Sequence, residues 1–389
     1  MYIYPNLYKQ FECIGAACQK TCCAGWSINL DPETANYYRQ LNTDFGKFIR
    51  ENIYEKNDMT LIRMTSDKRC AFLDEDGLCQ IYRNCGPEHM SNTCQVFPRR
   101  RLTKGGNDMR ALSLSCEAVL QLLQDRSDPI QICVEGDTDL NTMNDISVYE
   151  IAQFIAWGVE LLQDSSVPLG VALGTVLYVG MEVGTCFKNQ DYQGFEQALL
   201  HADAVQKEFQ QVKESLEKDE LTDSAWQFIF QVTDSFYTTL GQISSSYAQT
   251  LLWPEETSTL SDCDRREYIR NSYREHRTRR NEEQHLLFMR RMASLLFCGY
   301  ALGIEVDENE KIFLQNIGNF MLLAEIVPAT CADKEKTAPD KYYPGLVELS
   351  RLFQQTHFIA DYTWPVIKEL FAPDALTYTL AFMVLFDEL

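Results

Sequence analysis

Four cysteines fall within eleven consecutive positions near the start of the chain, at Cys13, Cys18, Cys22 and Cys23. Thiols clustered this densely can form disulfides, supply a catalytic nucleophile or bind a metal. No basic and apolar leader segment precedes them, so we expect a reducing, cytoplasmic location in which disulfides do not persist. Clustered thiols in such a compartment are typical of metal binding, and the sequence therefore predicts a metal centre.

A second group of cysteines lies within the first third of the chain, at Cys70, Cys79, Cys94 and Cys116. The segment CAFLDEDGLCQIY, residues 70–82, has apolar runs around an Asp-Gly turn, which predicts a β-hairpin with Cys70 and Cys79 on neighbouring strands. Cys85 precedes a Gly-Pro turn and is predicted to be a free thiol. Because a [4Fe–4S] cluster takes four thiolates, the other eight cysteines could hold two metal centres or one cluster with additional structural thiols.

The spacing of the first group differs from that of simple zinc ribbons, which use Cys-x2-Cys pairs. Adjacent thiols such as those of Cys22 and Cys23 do not easily share one small tetrahedral site, but they can face two metals or different irons of a cluster. Three arginines follow Cys94, and they could offset the negative charge of cluster thiolates or form a solvated basic turn: Arg99, Arg100 and Arg101.

Charge separates this cysteine-rich part from the rest of the chain. Residues 1–126 hold 16 Lys+Arg and 15 Asp+Glu, whereas the remainder holds 19 and 41, so the net charge of −21 belongs to the second part. Phosphates would be repelled by such an acidic surface, which argues against nucleic acid as a partner. The acidic surface suits a basic protein partner or simply maintains solubility.

The elements that position the cysteines are predicted from apolar periodicity. The chain has 389 residues, of which 45% are hydrophobic, enough for a substantial core. We predict a mainly α fold: a cysteine-rich metal-binding module with a short β-hairpin at residues 1–126, a connector at 127–145 and a helical domain at 146–389. Helical patterns also fit 222–250, 264–302, 309–327, 343–370 and 372–386. No glycine-rich turn of the dinucleotide-binding kind follows a predicted strand.

An apolar segment at residues 167–186 raises the question of a membrane span. It carries glycines at small-residue spacing, namely Gly170, Gly174, Gly180 and Gly184. Only about thirteen residues separate Pro168 from Glu182, too few for a hydrocarbon layer of about 30 Å. We predict no transmembrane segment here, but a buried helix that crosses closely over a neighbour. For the apolar C-terminal helix, peripheral membrane association is a minor alternative to a place in the core.

Taken in order, the cysteine motifs resemble those of a known family. The run Cys-x4-Cys-x3-Cys-Cys-Ala-Gly-Trp is followed by RCAFL and GLCQIY, then by GPEHMSNTCQVFPR and LSLSC. This series is similar to that of the bacterial flagellin lysine-N-methylase family, and its cysteine half resembles a wider set of zinc- or iron-chelating domains. The resemblance covers about residues 8–120, while the helical remainder agrees in length and character.

This resemblance implies an enzyme that transfers methyl groups from S-adenosyl-L-methionine to surface lysines of flagellin. It also implies a [4Fe–4S] cluster, with zinc as the alternative metal. The cysteines of the motif, four of which would bind the cluster, are Cys13, Cys18, Cys22, Cys23, Cys70, Cys79, Cys94 and Cys116. The Cys-x3-Cys-x2-Cys spacing of radical enzymes does not occur, so radical chemistry is not assigned, nor are catalytic or methyl-donor-binding residues. The alternative functions are a metal-handling protein without methyl transfer and an interaction protein with a structural zinc module.

Overall fold

A computed structural model describes residues 2–104, 107–136, 146–215, 219–242, 251, 253–302, 316–331, 343–355 and 374–387. The described part is mainly helical, and its small sheets belong to the cysteine-rich region. This architecture confirms the predicted fold class.

Seven short strands form two sheets in the described part of the first 136 residues. They are β1 (Tyr2–Pro5), β2 (Asn29–Leu30), β3 (Ile53–Lys56), β4 (Met59–Ile62), β5 (Arg99–Lys104), β6 (Asn107–Leu112) and β7 (Ile132–Glu135). The first sheet has the order β5-β6-β1-β7, in which β1 is parallel to β6 and antiparallel to β7. The second has the order β2-β4-β3, and the tight turn between β3 and β4 places Asn57 and Asp58 at positive φ.

Fourteen α-helices account for most of the described residues. They are α1 (Pro32–Gln40), α2 (Asp44–Glu51), α3 (Gln80–Cys85), α4 (Asn92–Val96), α5 (Glu117–Asp125), α6 (Ile146–Gln163), α7 (Leu169–Asn189), α8 (Tyr192–Ser215), α9 (Asp219–Gln242), α10 (Asp262–Thr278), α11 (Glu282–Ala301), α12 (Asn319–Thr330), α13 (Tyr343–Gln355) and α14 (Ala375–Phe386). The pattern predicted over 264–302 is two helices, because Asn281 interrupts it and caps α11 by accepting a hydrogen bond from the Gln284 amide.

Two hydrophobic cores hold these elements together. The larger core contains side chains of β1, β6 and α5 together with those of the long helices from α6 onward. The smaller core lies beneath the second sheet and the cysteine turns, and it includes Tyr38, Phe72 and the thiol-bearing Cys70. The larger core thus crosses residue 126, and residues 132–135 of the predicted connector form the edge strand β7. The division of the chain into domains stays a prediction.

The hairpin predicted for residues 70–82 is wrong in its details. The structure pairs Leu73 with Cys79 in one isolated bridge, and Asp74 closes the turn by accepting a hydrogen bond from the Leu78 amide at 2.8 Å. Gly77, with φ of +77°, completes the turn. Helix α3 then begins at residue 80, so the chain leaves the extended conformation before a second strand can form. In the described part of this module, antiparallel pairs of consecutive strands are formed by β3 with β4 and by β5 with β6 instead.

Helix α7 contains the glycine-spaced segment and is mostly buried, as predicted. Among the helices that the structure describes, it is the one whose length and composition would suffice to cross a membrane. Its glycine face packs against α14: the Gly170 amide donates a hydrogen bond to Asp387 Oδ1 at 2.8 Å, and Gly174 lies against Thr379. The small residues therefore allow two buried helices to approach closely.

A Gly174→Ala variant should lose about 1–3 kcal/mol of unfolding free energy, the usual cost of overpacking a tightly packed core. The added Cβ would overlap the side chain of Thr379, which is itself fully buried. Gly241→Ala is the matched control, because nothing lies within 4 Å of its Cβ position, and it should gain up to about 1 kcal/mol from helix propensity. Denaturant unfolding measures both changes, and equal stability of the Gly174 variant and the wild type would contradict the packing account.

Candidate metal centre

The structure brings all eight predicted cysteines to one cavity. Its volume is about 640 Å³, and its wall includes Cys13, Cys18, Cys22, Cys23, Cys70, Cys79, Cys94 and Cys116. These residues are separated by up to 103 positions in the sequence, so the fold itself gathers them. The rest of the wall is largely apolar and aromatic, with Phe11, Trp26 and Phe97 among its members.

Local hydrogen bonds give the loop of the first cysteine group its shape. The Cys23 amide donates to Thr21 Oγ1 at 3.1 Å, and the Trp26 indole donates to the Cys22 carbonyl at 2.7 Å. The Cys70 amide in turn donates to the Cys23 carbonyl at 2.7 Å. This last bond fastens the first group of cysteines to the second.

Cysteines of the second group occupy the starts of short helices. Cys79 precedes α3 and Cys116 precedes α5, while Cys94 lies in the first turn of α4, where its amide donates to Ser91 Oγ at 3.2 Å. Main-chain amides also point at sulfur, from Tyr82 toward Cys79 and from Val119 toward Cys116. Burial raises the pKa of Cys79 and of Cys116, and these amides oppose that rise because donors at helix starts stabilise thiolates.

Burial controls the protonation of the thiols when no cation is bound. It raises the pKa of Cys18 and Cys70 to about 12 and that of Cys94 to about 11. The adjacent pair behaves differently, because a hydrogen bond from Cys22 lowers the pKa of Cys23 to about 7. A bound metal would supply the positive charge that the buried thiolates otherwise lack.

The thiols surround a space and do not converge on a point. Among the described residues, no three His, Cys, Asp or Glu side chains form a group that could hold a single metal ion. An iron–sulfur cluster places iron and sulfide between its thiolates, so ligands distributed around a cavity fit such a group. The eight thiols on the cavity wall and the amides directed at sulfur agree with it. The residues present therefore fit the implied cluster, and the ligand assignment stays a prediction.

Glu117 is a site residue that the sequence analysis missed. Its carboxylate is buried beside Cys18, whose thiol lies 3.4 Å from Oε2, and the same oxygen accepts a 2.7 Å hydrogen bond from the Lys20 amide. Its position directly after Cys116 was a usable signal. Arg351, which also lies on the cavity wall, had no such signal because it is 235 residues beyond Cys116.

The basic triplet after Cys94 belongs to strand β5 and points in several directions. Arg99 lies on the cavity wall and over the ring of Phe11, at 4.9 Å from its centroid. Arg101 instead forms a 2.8 Å ion pair with Asp108. A strand therefore replaces the solvated turn, and Arg99 is the member of the triplet that lines the cavity.

Cys85 lies outside the cavity wall, and its assignment as a free thiol stays a prediction. Its thiol interacts with the hydroxyl of Tyr37, whose ring stacks on His89 at a centroid distance of 4.0 Å. Cys85 thus offers a natural control for the eight cysteines that line the cavity.

Comparison with known proteins identifies relatives of the cysteine-rich part. Residues 12–117 match the family model described as "CxxCxxCC: Putative zinc- or iron-chelating domain". Over 130 residues the chain is 32% identical to the "Lysine-N-methylase" of Salmonella typhimurium and to that of Salmonella choleraesuis, which covers 31% of this chain and 32% of each relative. It is likewise 32% identical to the "Flagellar biosynthetic protein FliU" of Salmonella muenchen, with 31% of this chain and 76% of that protein covered.

The matched region spans about a third of the length of the two lysine-N-methylases. No solved structure matches the chain. The similarity therefore supports the cysteine-rich part directly, and it is this part that contains the cavity.

Proposed function

The chain belongs to the family of FliU and the lysine-N-methylases, and from this premise we propose that it is a protein-lysine N-methyltransferase that modifies surface lysines of flagellin. S-adenosyl-L-methionine is the proposed methyl donor, and a cysteine-bound [4Fe–4S] cluster is the proposed metal group. The observation that carries the proposal is the convergence of all eight motif cysteines on one cavity. As part of the same proposal the protein is cytoplasmic, in keeping with its fourteen free cysteines.

The residues of this chain would contribute to methyl transfer in three ways. The eight thiols would hold the metal group, which when bound supplies iron sites able to coordinate amino and carboxylate groups. The amides of Tyr82 and Val119 would stabilise the thiolates. The apolar wall, with Phe11, Trp26 and Phe97, would exclude water and favour the neutral form of an entering lysine amine, because burial in apolar surroundings lowers its pKa.

Methyl transfer requires that this neutral amine attack the sulfonium methyl group in line. Aromatic rings on the wall also suit a sulfonium cation, whose charge is attracted to a ring face. The cavity of about 640 Å³ falls within the range of small-molecule sites, which is about 300–1,000 Å³.

The test is a methylation assay with protein purified without oxygen. Iron, zinc and acid-labile sulfide are measured first, and the metal-loaded protein is then incubated with flagellin and S-adenosyl-L-methionine. We expect mass increments of single methyl groups on flagellin lysines, and none when the methyl donor is omitted. Metal-loaded protein that leaves flagellin unmodified would overturn the proposal and would favour a metal-handling function.

A further inference from the structure

Helix α13 reaches from the helical body into the cysteine site through one buried arginine. Arg351 is 2% exposed, and its Nη2 donates to the Lys20 carbonyl at 2.6 Å while its Nε donates to the Ser115 carbonyl at 3.3 Å. Lys20 lies between Cys18 and Cys22, and Ser115 immediately precedes Cys116. One guanidinium therefore joins the first cysteine loop to the segment that carries the last cysteine.

Two further residues of α13 contact the same two segments of the cysteine-rich region. The Lys20 ammonium forms a 2.9 Å ion pair with Glu348, and the hydroxyls of Ser115 and Ser350 lie 3.2 Å apart. Ser350 is fully buried and Glu348 is 4% exposed. The contact of α13 with the cysteine segments is thus a buried polar one.

A buried arginine is an expensive way to join two segments, because removing its charge from water costs several kcal/mol unless other charges and hydrogen bonds compensate it. The two carbonyls accept hydrogen bonds from Arg351, and the nearby carboxylate of Glu348 and thiol of Cys23 interact with its charge. Arg351 also lines the cavity that the thiols surround, where a metal–thiolate group would carry net negative charge. The guanidinium is therefore placed where its positive charge would also act on a group bound by the thiols.

We propose that Arg351 is a positioning residue of the metal centre, which holds the Lys20 and Ser115 segments in place and compensates the negative charge of the metal–thiolate group. This inference rests on metal binding by the cysteines and is independent of methyl transfer. If Arg351 has this role, the metal centre is formed by residues of both the cysteine-rich region and the helical body, and retention of metal requires α13.

The test compares Arg351→Gln with Arg351→Lys in the full chain. Arg291→Gln is the matched control, because Arg291 is also 2% exposed and its Nη1 donates to the Leu123 carbonyl at 3.2 Å, but it does not line the cavity. Each variant is reconstituted with ferrous iron and sulfide, or with zinc if the wild type takes up only zinc. The rate of metal release to a chelator is measured, together with the midpoint potential of the iron-loaded form.

We expect Arg351→Gln to release metal at least about tenfold faster than the wild type, the lower end of the effects seen for residues that support metal ligands. Its midpoint potential should become more negative, because loss of a nearby positive charge favours the oxidised state. Arg351→Lys, which keeps the charge, should retain most of the wild-type potential and release metal at an intermediate rate. Arg291→Gln should keep the wild-type release rate and potential.

A wild-type release rate and potential in Arg351→Gln would overturn the inference, as would equal acceleration in Arg291→Gln. If Arg351→Gln does not fold, the lysine variant decides, since release at the wild-type rate would then exclude a positioning role. Neither readout uses flagellin or a methyl donor, so failure of the methylation assay would leave this result intact.

Discussion

A Cys23→Ser variant should be purified without the metal that Cys23 helps to bind, whereas Cys85→Ser should retain the full metal content. Cys23 interacts with four of the other seven cysteines that line the cavity. It receives a hydrogen bond from Cys22, and its charge acts on Cys70, Cys79 and Cys94. A serine hydroxyl is a poor replacement, because soft thiolate ligands are what iron–sulfur clusters and zinc prefer in such sites.

The size of the loss also distinguishes between one metal centre and two. Loss of nearly all iron and sulfide, or of all zinc, would mean that the eight cysteines serve a single centre. Loss of about half would mean that each group of thiols holds its own, since a [4Fe–4S] cluster takes about four thiolates. Metal and sulfide analysis with an absorption spectrum gives the answer. Full metal content in Cys23→Ser would show that Cys23 is not a ligand.

The gathering of the cysteines could be predicted from the hypothesis that they bind metal, because ligands of a metal centre must lie close together wherever they stand in the chain. Spacing and motif order distinguished eight of the first nine cysteines, and these eight line the cavity while Cys85 does not. The helical character of the remainder was predictable for a similar reason, since apolar periodicity of 3–4 residues records burial of one helix face.

The contacts made by α13 could not be predicted in this way. Arg351 and Glu348 lie on a helix whose apolar spacing is that of an ordinary core helix, and their partner Lys20 is more than 320 residues away. Only tertiary structure brings them together. The second strand of the predicted hairpin does not form, for a local reason. The Asp74 side chain closes the turn by accepting a hydrogen bond from the Leu78 amide, and helix α3 begins directly afterwards.

A buried carboxylate in the helical body should produce the largest change in stability. Glu325 on α12 is fully buried, and its two oxygens contact two different basic side chains. Arg280 Nη1 lies 2.6 Å from Oε1, and His285 Nε2 lies 2.8 Å from Oε2. The hydroxyl of Tyr273 is 3.3 Å from Oε1. This network connects α10, α11 and α12.

Glu325→Gln should therefore lower the unfolding free energy by about 3–5 kcal/mol at neutral pH, the usual cost of removing one partner from a buried ion pair. The substitution preserves shape, but the Arg280 guanidinium, whose side chain is 3% exposed, loses one of its two carboxylate partners and keeps only Glu282, at 2.9 Å. Replacing the whole network by apolar side chains could leave the unfolding free energy nearly unchanged, because no polar partner would then be left unsatisfied. A single isosteric substitution therefore reports more directly on the charge of Glu325.

Glu325→Gln should also change how the free energy of unfolding depends on pH in acid. Burial acts to raise the pKa of Glu325, but His285 and Arg280 outweigh burial and hold that pKa well below its usual range. A carboxyl with a lowered pKa in the folded state contributes stability that is complete above its unfolded value of about 4.3 and is lost as the pH falls further. The wild type should thus lose this contribution in acid, whereas Glu325→Gln never has it.

Unfolding by denaturant at neutral pH and again near pH 3 would test both expectations. The difference between wild type and Glu325→Gln should narrow as the pH falls below about 4.3, because Glu325 is protonated in the unfolded wild type before it is protonated in the folded protein. Glu283→Gln serves as the matched control: it is an exposed glutamate in the first turn of α11, and its loss should cost less than about 1 kcal/mol. A stability difference that is small at neutral pH, or that stays constant down to pH 3, would mean that the charge of Glu325 does not hold the three helices together.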